Sequence, residues 1–171
     1  MTESTKKRVG ISACLVGQKV RYDGADQIQP SLLGEFADAI ELVPLCPEVE
    51  FGLGVPREKI QLLQQGDMWA LFTSETRINI DGAMRSFAKS RIAALGKISG
   101  YISKKNSPSC GVSGVKVFAK IGNFDEYEKR GRGVFMEVLQ TQFPNLPIAE
   151  EDQLLIPEDR ADFLNRILNY Q

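Results

Sequence analysis

The chain has 171 residues, and a chain of this size forms one domain that buries roughly two-thirds of its unfolded surface without disulfide or metal staples. Its 21 Lys and Arg residues against 22 Asp and Glu residues leave a net charge of −1, so no global attraction to nucleic acids or anionic membranes is expected. The N-terminus lacks a signal-peptide apolar stretch, and no run approaches the roughly 18 apolar residues of a membrane span. We therefore expect a cytoplasmic protein with no membrane partner.

The first part of the chain predicts two strands with a helix between them. Residues 8–13 are a short β-rich run that ends at Cys14. Residues 31–39 carry apolar side chains at the i, i+3 and i+4 spacing of an amphipathic helix. Residues 40–45 form a second apolar run, which stops at Cys46. Each predicted strand thus leads directly into a cysteine.

The middle of the chain predicts a hairpin and a long helix. Residues 60–64 and 68–73 are apolar runs separated by a Gly-Asp dipeptide that is typical of a hairpin turn. Residues 81–95 carry apolar side chains at helical spacing, and Gly96 follows them as a helix stop.

The last part of the chain predicts two further strands and two closing helices. Residues 98–103 form a strand that runs into the loop of Cys110, and residues 115–120 alternate as a strand. Residues 131–143 and 157–168 have the periodicity of helices.

Strands that alternate with helices indicate an α/β fold. We predict a single three-layer domain over residues 1–171, with a mostly parallel central sheet flanked by helices. No internal repeat, low-complexity tract or second-domain linker interrupts the chain. Cys14, Cys46 and Cys110 each follow a predicted strand, and ligands of open α/β sheets bind outside the carboxyl ends of the strands. We therefore expect the three cysteines to converge at one edge of the sheet.

The cysteine count narrows the chemistry, because the chain has three cysteines and no histidine. Thiolates favour zinc or iron–sulfur clusters, and a closed structural site normally has four Cys or His ligands. A site made of three would leave one metal position free for a substrate atom. Two other interpretations exist: free cysteines are commonly small buried apolar residues in a reducing cytosol, whereas the odd count and the lack of a Cys-x-x-Cys motif disfavour disulfides.

Three motifs make the chain resemble a known family. Residues 11–15 with 20–24 resemble the opening of the thiouracil desulfurase family, long catalogued as a domain of unknown function. Residues 45–48 with 52–57, and residues 107–111, match the other family signatures in order, so the resemblance covers nearly the full chain. It implies a [4Fe-4S] cluster with three cysteine ligands and a free fourth iron, and an enzyme that removes sulfur from thiolated uracils without net redox change. The ligands implied by the motifs are Cys14, Cys46 and Cys110.

The resemblance also assigns Glu48 and Ser107 as catalytic residues. Replacement of C=S by C=O requires a thiophilic Lewis acid, a base that activates water, and hydrogen bonds to the pyrimidine ring. A loop acid or helix cap is the alternative for Glu48, and a turn residue is the alternative for Ser107. Arg21, Tyr22 and Asp23 are candidate substrate contacts, with a purely structural turn as an equal alternative.

Lys104 and Lys105 adjoin the third cysteine motif and are candidate phosphate contacts, although exposed lysine pairs are usually only solvated. The candidate substrates are thiouracil, 4-thiouridine monophosphate and 4-thiouridine in tRNA. Relatives that act on tRNA carry a second domain thought to hold the RNA. We therefore expect this chain to be a stand-alone enzyme for a base or nucleotide, or the catalytic half of something larger; its oligomeric state is left open.

Two other functions are consistent with the same cysteines. One is an iron–sulfur sensing or binding module without catalysis, in which Glu48 has no catalytic role. The other is a zinc hydrolase with the three cysteines around one ion, although the chain lacks the His-x-Glu and Pro-Cys-x-x-Cys spacing of the zinc deaminases. Sulfide release from a thiolated pyrimidine distinguishes the desulfidase from both.

Overall fold

The computed structural model describes residues 6–36 and 38–171. These residues form eight strands: β1 (Lys7–Ser12), β2 (Ile40–Leu45), β3 (Ile60–Gln65), β4 (Met68–Thr73), β5 (Gly100–Ser103), β6 (Val115–Phe118), β7 (Tyr127–Gly131) and β8 (Ile148–Glu150). They also form five α-helices: α1 (Pro30–Phe36), α2 (Pro47–Phe51), α3 (Asp81–Leu95), α4 (Val134–Gln142) and α5 (Pro157–Asn169). None of these helices is long and apolar enough to cross a membrane.

The first sheet has the strand order β2-β1-β5-β8, and all its pairings are parallel. Helices α1 and α5 cover one face, where Phe36 and Phe163 pack with Val9 and Ile11 of β1. Helices α3 and α4 cover the other face, in a core that includes the fully buried Tyr101. Burial on both faces explains why these strands are short apolar runs. The predicted α/β fold with a mostly parallel sheet flanked by helices is therefore confirmed.

A second sheet, which no sequence pattern indicated, has the order β4-β3-β6-β7 and mixed pairing. The predicted hairpin is confirmed, but it pairs with β6 here instead of joining the parallel sheet. Met84 of α3 and Val134 of α4 pack with Leu62 and Val117 of this sheet. Since α3 and α4 also contribute to the core of the parallel sheet, these two helices connect the sheets.

Several element boundaries differ from those predicted. Helix α3 matches its predicted range, whereas α1 ends at Phe36, before Ala37, which lies outside the described residues. Helix α4 begins only at Val134, because Gly131 ends strand β7. The short helix α2 was not predicted; it begins at Pro47, and proline is favourable at a first helical position because it has no N–H to leave unpaired.

Candidate functional site

Three neighbouring strands of the parallel sheet each deliver one cysteine to the same edge. Cys14 lies in a 3₁₀ turn directly after β1, and Cys46 lies between β2 and α2. Cys110 lies in the loop that follows β5. Cys14 and Cys110 are buried, Cys46 is half-buried, and none of the three forms a disulfide. The parallel topology thus assembles thiols that are far apart in sequence.

All three cysteines line one cavity of about 400 Å³. Other predicted site residues share its wall: Arg21, Tyr22, Glu48, Lys104, Lys105 and Ser107. Asp23 is not part of this wall. It is exposed, and its Oδ1 accepts a hydrogen bond from the Ala25 amide at 3.0 Å, the geometry of a structural turn.

Burial keeps the three thiols protonated in the protein without metal. Desolvation raises the pKa of Cys14 to about 11 and that of Cys110 to about 12. Desolvation also raises the pKa of Cys46 above its ordinary value. Because metals bind the thiolate, metal binding at these residues has to displace protons, and the metal–sulfur bonds must offset that cost.

The donor set fits an iron–sulfur cluster better than a single ion. The cavity offers three soft thiols, and the chain has no histidine. Among residues 6–36 and 38–171, no three His, Cys, Asp or Glu side chains are grouped closely enough to hold one metal ion. An iron–sulfur cluster presents its irons at separate corners, so its thiolate ligands stand further apart than the ligands of one ion.

Glu48, in the first turn of α2, has a separate partner for each carboxylate oxygen. Its Oε2 accepts hydrogen bonds from Arg57 Nε at 2.9 Å and from Arg57 Nη2 at 2.7 Å. Its Oε1 accepts a hydrogen bond from Ser109 Oγ at 2.8 Å. The Glu48 side chain is 13% exposed and the Arg57 side chain 5%, so this is a largely buried ion pair, and each partner compensates the charge of the other.

Two serine hydroxyls connect Glu48 to the Cys110 loop. Ser107 Oγ accepts hydrogen bonds from the amides of Ser109 and Cys110 at 3.3 and 3.0 Å. It also lies 3.1 Å from Ser109 Oγ. A hydroxyl has one hydrogen, and a carboxylate only accepts, so the Ser109 hydrogen points to Glu48 and Ser107 donates to Ser109. The result is a hydrogen-bonded chain from Ser107 through Ser109 to Glu48.

The first turn of α4 holds the Cys110 loop in place. The Val134 amide donates to the Pro108 carbonyl at 3.1 Å, and the Phe135 amide donates to the Ser109 carbonyl at 3.0 Å. The approach of the two backbones depends on Gly133, because a Cβ there would lie 2.4 Å from the Ser109 carbonyl carbon. The otherwise unpaired amides of a helix start are thus used to fix the loop of a cysteine.

Comparison with known proteins identifies the family of this chain. A model of the 2-thiouracil desulfurase family matches residues 9–151. The chain belongs to this family. A similar solved structure is described as the [4Fe-4S]-dependent thiouracil desulfidase TudS; it is 30% identical, with a TM-score of 0.70, and the match covers 92% of this chain and 97% of that chain. No curated protein matches the chain.

These matches confirm the predicted family and the predicted enzyme class, that of the iron–sulfur-dependent thiouracil desulfidases.

The two lysines predicted as candidate phosphate contacts each form an ion pair with an acidic residue of the protein. Lys104 Nζ forms an ion pair with Glu151, and Lys105 Nζ forms one with Asp152. The Lys105 amide also donates to Glu151 Oε2 at 2.6 Å. The positive charge of both lysines is therefore already compensated.

Sequence reasoning did not identify Arg57 or Ser109 as site residues. Both residues lie inside motifs that resemble the family signatures, but neither motif indicates which residues Arg57 and Ser109 contact. Ser109 is 61 residues from its partner Glu48, so this contact depends on the fold. The one local signal was the position of Ser109, which directly precedes Cys110 in the chain.

Proposed function

We propose that this chain replaces the C=S group of a thiolated uracil by C=O, using water. The oxygen of water becomes the exocyclic carbonyl oxygen, the sulfur leaves as hydrogen sulfide, and there is no net oxidation or reduction. The candidate substrates are thiouracil, 4-thiouridine monophosphate and 4-thiouridine in tRNA. The observation that carries the proposal is the convergence of three free thiols, Glu48 and two serine hydroxyls at one cavity of about 400 Å³. The family match supports the reaction class.

We assign Cys14, Cys46 and Cys110 as the three protein ligands of a [4Fe-4S] cluster. When bound, such a cluster supplies a thiophilic Lewis acid at the iron without a protein ligand. The similar solved structure is described as [4Fe-4S]-dependent. Soft thiols at the open edge of a parallel sheet are the donors that this cofactor requires.

We assign Glu48 as the base that takes a proton from the attacking water. Arg57 occupies Oε2 with two hydrogen bonds, so Oε1 is the oxygen that acts on water. Ser109 orients Oε1 through its hydrogen bond. Ser107 accepts hydrogen bonds from the Ser109 and Cys110 amides and donates one to Ser109 Oγ, which keeps the Ser109 hydrogen directed at Glu48 Oε1.

Arg21 and Tyr22 are the proposed substrate contacts of the cavity wall. Arg21 Nε is buried and has no hydrogen-bond partner among the described residues; its closest carboxylate oxygen is Asp23 Oδ1, at 3.7 Å. A buried donor without a partner is costly. We propose that a substrate carbonyl accepts this hydrogen bond, and that Asp23 acts indirectly by shaping the turn.

The experiment is anaerobic measurement of sulfide release by protein reconstituted with iron and sulfide. Thiouracil, 4-thiouridine monophosphate and tRNA containing 4-thiouridine are compared as substrates. We expect release of one sulfide per C=S converted, with at least one of the three. A protein that holds a full cluster and releases no sulfide from any of them contradicts the proposal and favours an iron–sulfur sensor or binding module.

A further inference from the structure

One buried hydroxyl in the core beneath the cysteines has no partner. Tyr101 of β5 is completely buried, with 0% of its surface exposed. Its hydroxyl oxygen has no hydrogen-bond partner among the described residues. A hydroxyl that loses its bonds to water on folding and gains none in return lowers the stability of the fold. Such a group calls for a partner that binds to the folded protein.

The ring of Tyr101 is held in one position on the sheet. Tyr101 is the neighbour of Gly10 in the pairing of β5 with β1. A Cβ at Gly10 would lie 2.5 Å from Cδ2 and 2.7 Å from Cε2 of the tyrosine, so the ring lies directly on β1 where no side chain is present. Phe135 of α4 packs against the ring, with 6.0 Å between the ring centres. The hydroxyl therefore has a fixed place as well.

That place is near the cysteines. Burial raises the pKa of Tyr101 well above its ordinary value, and the charges of the neighbouring Cys110 and Cys46 raise it further. The hydroxyl thus keeps its hydrogen and can donate it. Ser12 is also close to the hydroxyl, but its Oγ accepts a hydrogen bond from the Lys104 amide at 3.0 Å.

The sulfur of Cys110 needs a donor once it has lost its proton. Cys110 is only 4% exposed, so its thiolate receives little help from water. Ser109 Oγ lies 3.7 Å from Cys110 Sγ, but the Ser109 hydrogen points to Glu48. The Ser103 hydroxyl donates to the Cys110 carbonyl. These two serines are already engaged, whereas the Tyr101 hydroxyl is not.

We propose that the Tyr101 hydroxyl donates a hydrogen bond to the Cys110 thiolate when Cys110 is a cluster ligand. Tyr101 is then a positioning residue that stabilises the bound cluster through its ligand. The inference rests on the proposed assignment of Cys110 as a ligand. Outer hydrogen bonds orient metal ligands and increase metal affinity, and hydrogen bonds to the sulfurs of a cluster contribute to its reduction potential.

The test is Tyr101→Phe, which removes the hydroxyl and keeps the ring. Without metal, the variant should unfold at the same midpoint as the wild type or higher, because it loses an unpaired buried group. After anaerobic reconstitution, it should hold iron about tenfold less tightly in competition with a chelator. The reduction potential of its cluster should be lower, because a donor that stabilises the more negative, reduced cluster is gone. Tyr127→Phe, at an exposed tyrosine of β7, is the matched control and should equal the wild type in all three measurements.

Iron retention or a reduction potential equal to that of the wild type overturns the proposal. A metal-free Tyr101→Phe that is less stable than the metal-free wild type also overturns it, because the hydroxyl would then have a partner before the cluster binds, such as Ser12 or a buried water. None of these measurements uses turnover. Failure of the proposed function is therefore distinct: cluster-loaded wild-type protein would release no sulfide and would still differ from Tyr101→Phe in iron retention and potential.

Discussion

At the scale of single residues, the two carboxylate oxygens of Glu48 have different hydrogen-bond partners. Arg57 binds Oε2 at two points and compensates the charge, while Oε1 has the Ser109 hydroxyl as its partner. A single hydroxyl holds the oxygen in place without occupying both of its lone pairs. Glu48 is therefore positioned by one oxygen and available for proton transfer at the other.

We predict that Glu48→Gln lowers the rate of sulfide release by about 10²-fold or more, the usual contribution of a positioned base. Glutamine keeps the size and most of the hydrogen bonding, so iron content and cluster absorbance should be unchanged. Glu75→Gln, in the exposed turn after β4, is the matched control. Equal rates for the Glu48 variant and the wild type would leave Glu48 a structural residue.

Ser109 provides a second test at this scale. We predict that Ser109→Ala lowers the rate of sulfide release about tenfold, because Glu48 Oε1 loses its donor and Ser107 loses its acceptor. Alanine fits the space, so the cluster absorbance should persist. A smaller loss is expected for Ser113→Ala, an exposed serine in the same connection between β5 and β6. If both alanine variants retain the wild-type rate, Ser109 has no part in positioning Glu48.

At the scale of elements, the start of α4 serves as the support for the Cys110 loop. The helix begins with Gly133 as its N-cap, and the amides of Val134 and Phe135 bind loop carbonyls. The same junction explains why the predicted helix was too long at its start: residues before Val134 are used for a strand and for this contact.

We predict that Gly133→Ala destabilises the protein by about 2 kcal/mol or more, since the new Cβ would lie 2.4 Å from the Ser109 carbonyl carbon. Displacement of the loop should also lower the iron content after reconstitution. Gly82→Ala in α3 is the control, because a Cβ there meets nothing within 4 Å; this variant should be as stable as the wild type or more so. Equal unfolding midpoints for the two variants would show that the Cys110 loop accommodates the new Cβ without loss of stability.

The elements that could be predicted from the sequence are those with a local pattern. Helix α3 has a clear helical period, and β2 is an apolar run interrupted only by Glu41. Strand β7 was missed because its residues are mainly charged and exposed, and β8 because it has only three residues. Pairing of β3 with β6 is a non-local event, so the separation into two sheets left no signal in either segment.

At the scale of the whole molecule, the site combines parts that no single segment contains. The parallel sheet supplies the cysteines, whereas Arg57, the partner of Glu48, lies in the loop that leads into the second sheet. Glu48 lies in α2, directly after the parallel strand β2, and lines the cysteine cavity. The sequence could predict the three cysteines and Glu48 through their motifs, but the contacts of Glu48 with Arg57 and Ser109 depend on the fold.

A final prediction concerns the three cysteines, whose convergence depends on the whole fold. Anaerobic reconstitution should load the wild type with about four iron and four sulfide, and Cys14→Ala, Cys46→Ala and Cys110→Ala should each fail to retain them. The chain has three cysteines and no histidine, so no other such ligand replaces the lost one. Because the cluster binds only the folded protein, loading should raise the unfolding midpoint of the wild type and leave that of each variant unchanged. Full iron content and the same rise in any one variant would remove that cysteine from the ligand set, and stoichiometric zinc in strictly anaerobic wild-type protein would replace the cluster by a single ion.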